Sequence, residues 1–213
     1  MAKDGRPFFI ASFAGTLFLI VLFYFTGLQI LLWLGAGALL VSCFVPFFFR
    51  DPERIIPAGP GLIVSPADGK VVAVQEEECE GLERRVIRIS IFLSIFNVHV
   101  NRVPATARIV HIQHLKGRFF GAWRNKASLD NEQTRIDMDC GHYKIQVKQI
   151  AGFIARRIVC RLREGQSVNR GERFGLIKFG SRTDLAVPCV SRIHVKVGDV
   201  VKGGSTTLAS FPD

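Results

Sequence analysis

Between Pro7 and Phe49 the sequence has no charged residue, a gap of 43 positions, and no comparable gap recurs after Arg50. The first absence excludes an ordinary soluble protein, because core helices seldom run 18 residues without charge. The second excludes a transporter with many spans. Cysteine is scarce: Cys43, Cys79, Cys140, Cys160 and Cys189 are scattered, odd in number and without a C-x-x-C pair. That argues against a disulfide framework and against a Cys/His metal site, and free thiols are expected. Basic helices, zinc-ligand spacing and RNP-type aromatic patterns are also missing. The net charge of +10 is therefore not read as nucleic-acid binding. With 48% hydrophobic residues, the chain is too apolar for disorder.

What is present starts with the uncharged run. As one helix it would extend about 65 Å, against a bilayer core of about 30 Å. Two spans fit, broken at Thr26-Gly27-Leu28-Gln29, with helices over Phe8–Phe25 and Leu28–Phe49. Lys3 and Arg6 precede the run, and Arg50 and Arg54 follow it. Basic residues at both ends predict a transmembrane hairpin whose two ends face the cytoplasm, at the inner membrane of a cell. The run is too long for a cleaved signal peptide and lacks a small-residue cleavage site. The competing reading is a buried helical hairpin in a soluble core. The expected division is a membrane anchor over residues 1–49 and a second domain over residues 50–213. That second part carries all but two of the 28 basic residues and all but one of the 18 acidic ones, a net +9. Such a charge is attracted to an anionic cytoplasmic leaflet.

The second part reads as strands. Ile87, Ile89 and Ile91 alternate with polar residues, as do Tyr143, Ile145 and Val147, and Val195 and Val197. Further strands are expected in Lys70–Gln75, Arg108–Ile112, Gly152–Val159 and Phe174–Phe179, with turns at Asp68-Gly69 and Gly198-Asp199 and a helix near Phe119–Leu129. The segment Gly165-Gln166-Ser167-Val168-Asn169-Arg170-Gly171 repeats as Gly198-Asp199-Val200-Val201-Lys202-Gly203-Gly204, 33 residues later. Two such turns predict a mainly β fold with few helices, a barrel-sandwich of the kind seen in biotinyl and lipoyl domains, joined to the N-terminal hairpin. No lysine has the Met-Lys-Met context of a biotinyl carrier, so the fold analogy brings no carrier role.

Three segments carry chemistry: Ser65-Pro66-Ala67-Asp68-Gly69, then Phe96-Asn97-Val98-His99-Val100-Asn101-Arg102-Val103-Pro104, then Phe179-Gly180-Ser181. Each alone is weak, since Asp-Gly and Gly-Ser are turn pairs and a lone His is more often structural. A hydroxyl one residue after a carbonyl, next to a glycine that permits a strained turn, is suited to an amide-to-ester shift if a base activates it.

In their order, these segments resemble the short class of phosphatidylserine decarboxylase proenzymes. The resemblance extends over nearly the whole chain. It takes in the hairpin, Phe49-Arg50-Asp51-Pro52-Glu53-Arg54, Asn131-Glu132 and Lys178-Phe179-Gly180-Ser181. It implies self-cleavage between Gly180 and Ser181, giving a β chain of residues 1–180 and an α chain of residues 181–213 that form a heterodimer. Ser181 would become a covalent pyruvoyl group, with no pyridoxal phosphate and no metal. That group would form a Schiff base with the serine headgroup of an aminophospholipid, in the membrane, and carbon dioxide and phosphatidylethanolamine would leave. His99 is the implied base and proton donor, and Asp68 its orienter, as in Ser-His-Asp hydrolases. Longer relatives carry H-x-x-H-x-P where this chain has His99 and Arg102. Either His99 covers both reactions or another group, Arg102 among them, takes a share. Two alternatives remain: a decarboxylase for an ether-linked archaetidylserine, and a non-enzymatic, membrane-anchored barrel-sandwich adaptor. His111 and His114 lie three apart on a strand and make a poor ligand pair.

Overall fold

Leu, Phe, Ile and Ala fill the uncharged run, and it folds as two helices, α1 (Arg6–Thr26) and α2 (Gln29–Phe48). Pro7 fits the first turn of α1, where its missing N–H costs nothing. Gly27 ends the helix with φ +69° and donates its N–H to Phe23, a left-handed cap that a side chain would strain. The helices lie antiparallel as a hairpin. The N–H of Ala2 donates to the Phe49 carbonyl at 2.7 Å, and the Thr16 and Ser42 hydroxyls meet at 3.3 Å midway along. Each hydroxyl also returns to its own helix, to the carbonyls of Ser12 and Ala38, so neither is stranded among apolar groups. Ile10, Phe18, Tyr24, Trp33 and Leu40 remain exposed on the outside. Both helices are long and apolar enough to cross a membrane.

The computed structural model describes residues 1–79, 82, 85–117, 131–152, 157–178 and 181–212. Contacts divide it into two units, Met1–Pro52 and Glu53–Asp213. Among the described residues the second unit has fourteen strands. They are β1 (Leu62–Val64), β2 (Gly69–Glu78), β3 (Arg85–Leu93), β4 (Val100–Arg102), β5 (Ala107–Leu115), β6 (Gln133–Asp139) and β7 (Lys144–Ile150). The remainder are β8 (Ile158–Cys160), β9 (Ser167–Val168), β10 (Arg173–Ile177), β11 (Ser181–Pro188), β12 (Arg192–Ile193), β13 (Val200–Val201) and β14 (Thr207–Ser210). Eight of them form one sheet in the order β13-β2-β3-β11-β7-β6-β5-β9. Two three-stranded sheets, β1-β14-β12 and β4-β10-β8, complete the unit. Alternation turns Ile89, Ile91, Leu93, Ile109, Ile136, Ile145, Val147 and Leu185 inward, where they pack with Phe174, Ile63 and Leu208. The expectation of a mainly β, barrel-sandwich-like unit that follows an N-terminal helical hairpin in the chain is met.

The large sheet reads the same from both ends when β13 exchanges with β9, β2 with β5, β3 with β6 and β11 with β7. The backbone bonds repeat with it. Gly198 and Asp199 bond both polar groups of Val71, and Gly165 and Gln166 do the same for Ile109. Gly204 donates to Ser65 and Gly171 to Val103. Arg102 donates to Pro66, and Val64 donates to Pro104. Ser65-Pro66-Ala67-Asp68 therefore occupies in one copy the place of Val103-Pro104-Ala105-Thr106 in the other. Even the turn caps match: the Gly203 N–H donates to Asp68 Oδ1 at 2.8 Å, and the Arg170 N–H donates to Thr106 Oγ1 at 3.2 Å. Gly171 (φ +82°) and Gly204 (φ +78°) both pack on Ile56, where a Cβ would collide with its side chain or with the stem of Arg102.

Several local expectations change. Gly69 does not form a turn with Asp68 but opens β2; a Cβ there would run into the Phe92 carbonyl, so glycine is required for close approach. Val195 and Val197 lie outside β12, because Gly198 (φ +102°) bends the chain and Asp199 caps the Lys196 N–H. All five cysteines are free thiols. The helix expected near Phe119–Leu129 and residues 153–156 of the strand expected over Gly152–Val159 lie outside the described residues, while Ile158 and Val159 fall in β8.

Candidate active site

Antiparallel pairing brings Ser181 and the start of β2, just after Asp68, to one end of the large sheet. Ser181, the first residue of β11, pairs with Leu93 at the end of β3, and the start of β2 pairs with the same end. Beyond it, Arg182 pairs with Ile150, the last residue of β7, and Ile150 pairs with Gln133 at the start of β6. Asp68 immediately precedes β2. The chain leaves β3 through Ser94–Asn97 and reaches His99, whose carbonyl accepts the N–H of Ile177 at 3.3 Å, four residues before Ser181. Gly180 and Phe179 lie outside the described residues.

Ser181 is fully buried, and its hydroxyl has no hydrogen-bond partner among the described residues. Such an orphan is uncommon, since a buried hydroxyl without a partner costs about 1–3 kcal/mol. The neighbouring Gln149 Oε1, on the same face of β7, is likewise buried and without a partner among the described residues. This corner of the core thus holds unmet hydrogen-bonding capacity at the first residue of β11.

His99 is buried, and its Nδ1 lies 2.9 Å from the Asn97 carbonyl. A carbonyl only accepts, so Nδ1 carries the proton and the neutral ring keeps its lone pair on Nε2. The ring is therefore oriented by its own loop. Asp68 is held elsewhere: Oδ1 takes the Gly203 N–H, and Oδ2 takes Nη2 of Arg54 at 2.7 Å, with both side chains mostly buried. The structure thus brings Ser181, His99 and Asp68 to one end of the sheet, and the bonds it gives Asp68 run to Arg54 and Gly203.

Sequence reasoning quoted Arg54 and Asn101 within longer segments but gave neither a role in the site. Asn101 is fully buried. Its Nδ2 donates to the Pro66 carbonyl at 3.3 Å and to Thr183 Oγ1 at 3.4 Å, and its Oδ1 accepts Gln149 Nε2 at 2.8 Å. One side chain therefore ties the Asp68 segment and the His99 segment to β11, two residues beyond Ser181. Arg102, next to it, sends Nη1 to the Gly171 carbonyl at 3.0 Å and packs its stem on Gly204, so it supports both repeated turns. On the opposite face of β11 from Ser181, Arg182 is buried with Asp184 and Ser90, each at 2.6 Å, and this network locks the strand's register.

Among the described residues no group of three or more His, Cys, Asp or Glu is placed to hold a metal ion. His111 and His114 each turn to a separate partner, Glu164 at 2.8 Å and Thr134 at 3.1 Å. The Ile112 N–H and then His111 hold the exposed Glu164 carboxyl below its ordinary range. The family model for phosphatidylserine decarboxylase matches residues 41–209, which spans the three motif segments and every strand except the last residue of β14. The chain belongs to that family. A phosphatidylserine decarboxylase proenzyme of Syntrophus aciditrophicus (strain SB) is 45% identical over 213 residues, covering 99% of this chain and 97% of the relative. One from Ehrlichia chaffeensis (strain ATCC CRL-10679 / Arkansas) is 44% identical over 214 residues, covering 99% of this chain and 91% of the relative. Membership gives the buried Ser181 hydroxyl a chemical context, since both relatives are named as precursors.

Proposed function

We propose that the protein is a self-processing decarboxylase that converts phosphatidylserine to phosphatidylethanolamine and carbon dioxide, with a pyruvoyl group made from its own Ser181. The observation that carries this reading is the buried Ser181 hydroxyl, unpartnered among the described residues, at the head of a central strand in a chain of this family. In the first reaction His99 Nε2 takes the hydroxyl proton, and Oγ attacks the carbonyl carbon of Gly180. The C–N bond breaks, the nitrogen takes the proton, and an ester replaces the amide. Loss of the Ser181 α-proton then expels the Gly180 carboxylate and leaves a dehydroalanine. Its enamine tautomerises, and water replaces nitrogen, giving the pyruvoyl group and ammonia. Burial serves these steps by keeping other water away from the ester.

The position fits the group. Once cut, residues 181–213 would still supply β11 at the middle of the large sheet, paired on both sides to β3 and β7. The new terminus would stay fixed, and the two chains would remain a heterodimer. A pyruvoyl group supplies a ketone that condenses with the substrate amine and accepts electrons as carbon dioxide leaves. His99 then returns a proton to the carbon that lost carbon dioxide. Asp68 enters as the carboxylate that favours positive charge on His99 during processing, which requires Arg54 to yield part of its hold. The apolar hairpin would anchor the enzyme at the cytoplasmic face of the inner membrane, beside its lipid substrate.

The test compares wild type with Ser181→Ala for chain cleavage and for carbon dioxide release from phosphatidylserine vesicles. Wild type is expected to split and to decarboxylate, and the variant to remain one inactive chain. Cleavage of Ser181→Ala at the wild-type position would overturn the site.

A further inference from the structure

The duplication within the sheet provides an internal control on its surface. In one copy a cross-strand row runs Val200–Lys70–Phe92, joining β13, β2 and β3. In the other copy the same row runs Ser167–Arg108–Asp139, joining β9, β5 and β6. The turn entering each row begins one residue before a positive-φ glycine, with Val197 before Gly198 in the first and Glu164 before Gly165 in the second. The backbone requirements are the same, so they do not explain the difference. The copy away from Asp68 and Ser181 places an exposed Glu164, an exposed Ser167 and a half-buried Asp139 at these positions, as a soluble surface should. The copy beside them places Val197 at 58% exposure, Val200 at 75%, and a half-buried Phe92 at the matching positions.

This apolar row borders the site on two sides. Gly203, three residues after Val200, donates to Asp68. From Phe92 the chain runs directly into Ile95 and Phe96, both exposed, and then to His99. Lys70, Lys196 and Lys202 are interspersed and exposed. Exposed valines and phenylalanine mixed with lysines suit a surface that is apolar just below an anionic layer. We infer that Val197, Val200, Phe92 and the Ile95–Phe96 tip form a bilayer-docking face, seating this end of the sheet in the headgroup layer of an anionic membrane. The inference rests on the reading that the substrate is a membrane lipid.

The test transplants the other copy's residues, which the same backbone already accommodates. Full-length Val197→Glu/Val200→Ser enzyme is reconstituted in vesicles of phosphatidylcholine with a varied fraction of phosphatidylserine. A second assay adds a soluble, short-chain serine phospholipid to vesicles that contain no phosphatidylserine. Complete self-cleavage and wild-type turnover of the soluble substrate are expected. The apparent KM for bilayer phosphatidylserine should rise roughly tenfold, a change of about 1.4 kcal/mol. Ser167→Val, on the equivalent row, should change none of these. A wild-type bilayer KM in the double variant overturns the docking face. So does an equal loss on both substrates, which would place the valines in the site itself. If the double variant fails to cleave, Val200→Ser alone decides between the same outcomes. Wild type that neither cleaves nor decarboxylates would refute the proposed function instead, before any variant is compared.

Discussion

The duplicated turn gives Asp68→Thr a definite meaning. Thr106 fills the equivalent place in the other copy and accepts the equivalent N–H, from Arg170. A threonine at 68 should therefore keep the turn cap to Gly203, a hydrogen bond worth about 1 kcal/mol. It cannot keep the ion pair with Arg54, formed at 2.7 Å between side chains only 14% and 12% exposed. Removing one partner of a fully buried pair costs about 3–5 kcal/mol. Residual solvent contact at Arg54 lowers that to about 2–3 kcal/mol. Each kcal/mol lowers Tm by about 2–4 °C in a domain this size, so a fall of roughly 5–10 °C is expected. Asp68→Ala loses the cap as well and should fall by a few degrees more. Cleavage, followed by denaturing gel electrophoresis after translation, should slow by about tenfold or more in both variants, because neither supplies a carboxylate for His99. Wild-type cleavage in Asp68→Thr, with the lowered Tm, would refute the catalytic assignment and leave Asp68 with the architectural role of Thr106. An unchanged Tm would refute the account of the Arg54 pair.

Two further outcomes follow from buried groups. Asn101→Ala removes the 2.8 Å bond to Gln149 and the longer ones to Pro66 and Thr183. It should cost about 2–3 kcal/mol in thermal unfolding and slow cleavage, since the three motif segments lose their shared tie; cleavage at the wild-type rate would contradict that. Burial, followed by the Asp139 charge, pushes the Cys140 thiol up to about 12, and burial also raises Cys79 and Cys160. At pH 8 these three should resist iodoacetamide in the folded protein while exposed Cys189 reacts, because only a thiolate attacks; mass mapping that finds Cys140 modified as fast as Cys189 would refute the described packing.

The hairpin was legible because an absence of charge over 43 residues has few physical explanations. The repeated turn was legible because positive-φ positions select glycine at fixed spacing. The rest of the duplication was not. Ser65–Val71 and Val103–Ile109 share little beyond Pro-Ala, and their equivalence lies in backbone bonds that any side chain permits. Val195 and Val197 imitated a strand because alternation does not reveal a bend imposed by the following glycine. Ser181 and His99 could be marked from a resemblance to a family, whereas Arg54 and Asn101 lie in segments that carry the resemblance without any sign of what they bond. Arg54 reaches Asp68 across 14 positions, and Asn101 reaches Thr183 across 82. Such partners are set by the fold alone.

The most direct test of the central claim is denaturing mass spectrometry of the purified wild-type protein. The account predicts two chains divided between Gly180 and Ser181. The chain of residues 181–213 should be lighter than a serine-started form by the difference between serine and pyruvoyl, and blocked to sequencing from its N-terminus. A single intact chain with an unmodified Ser181 would contradict it.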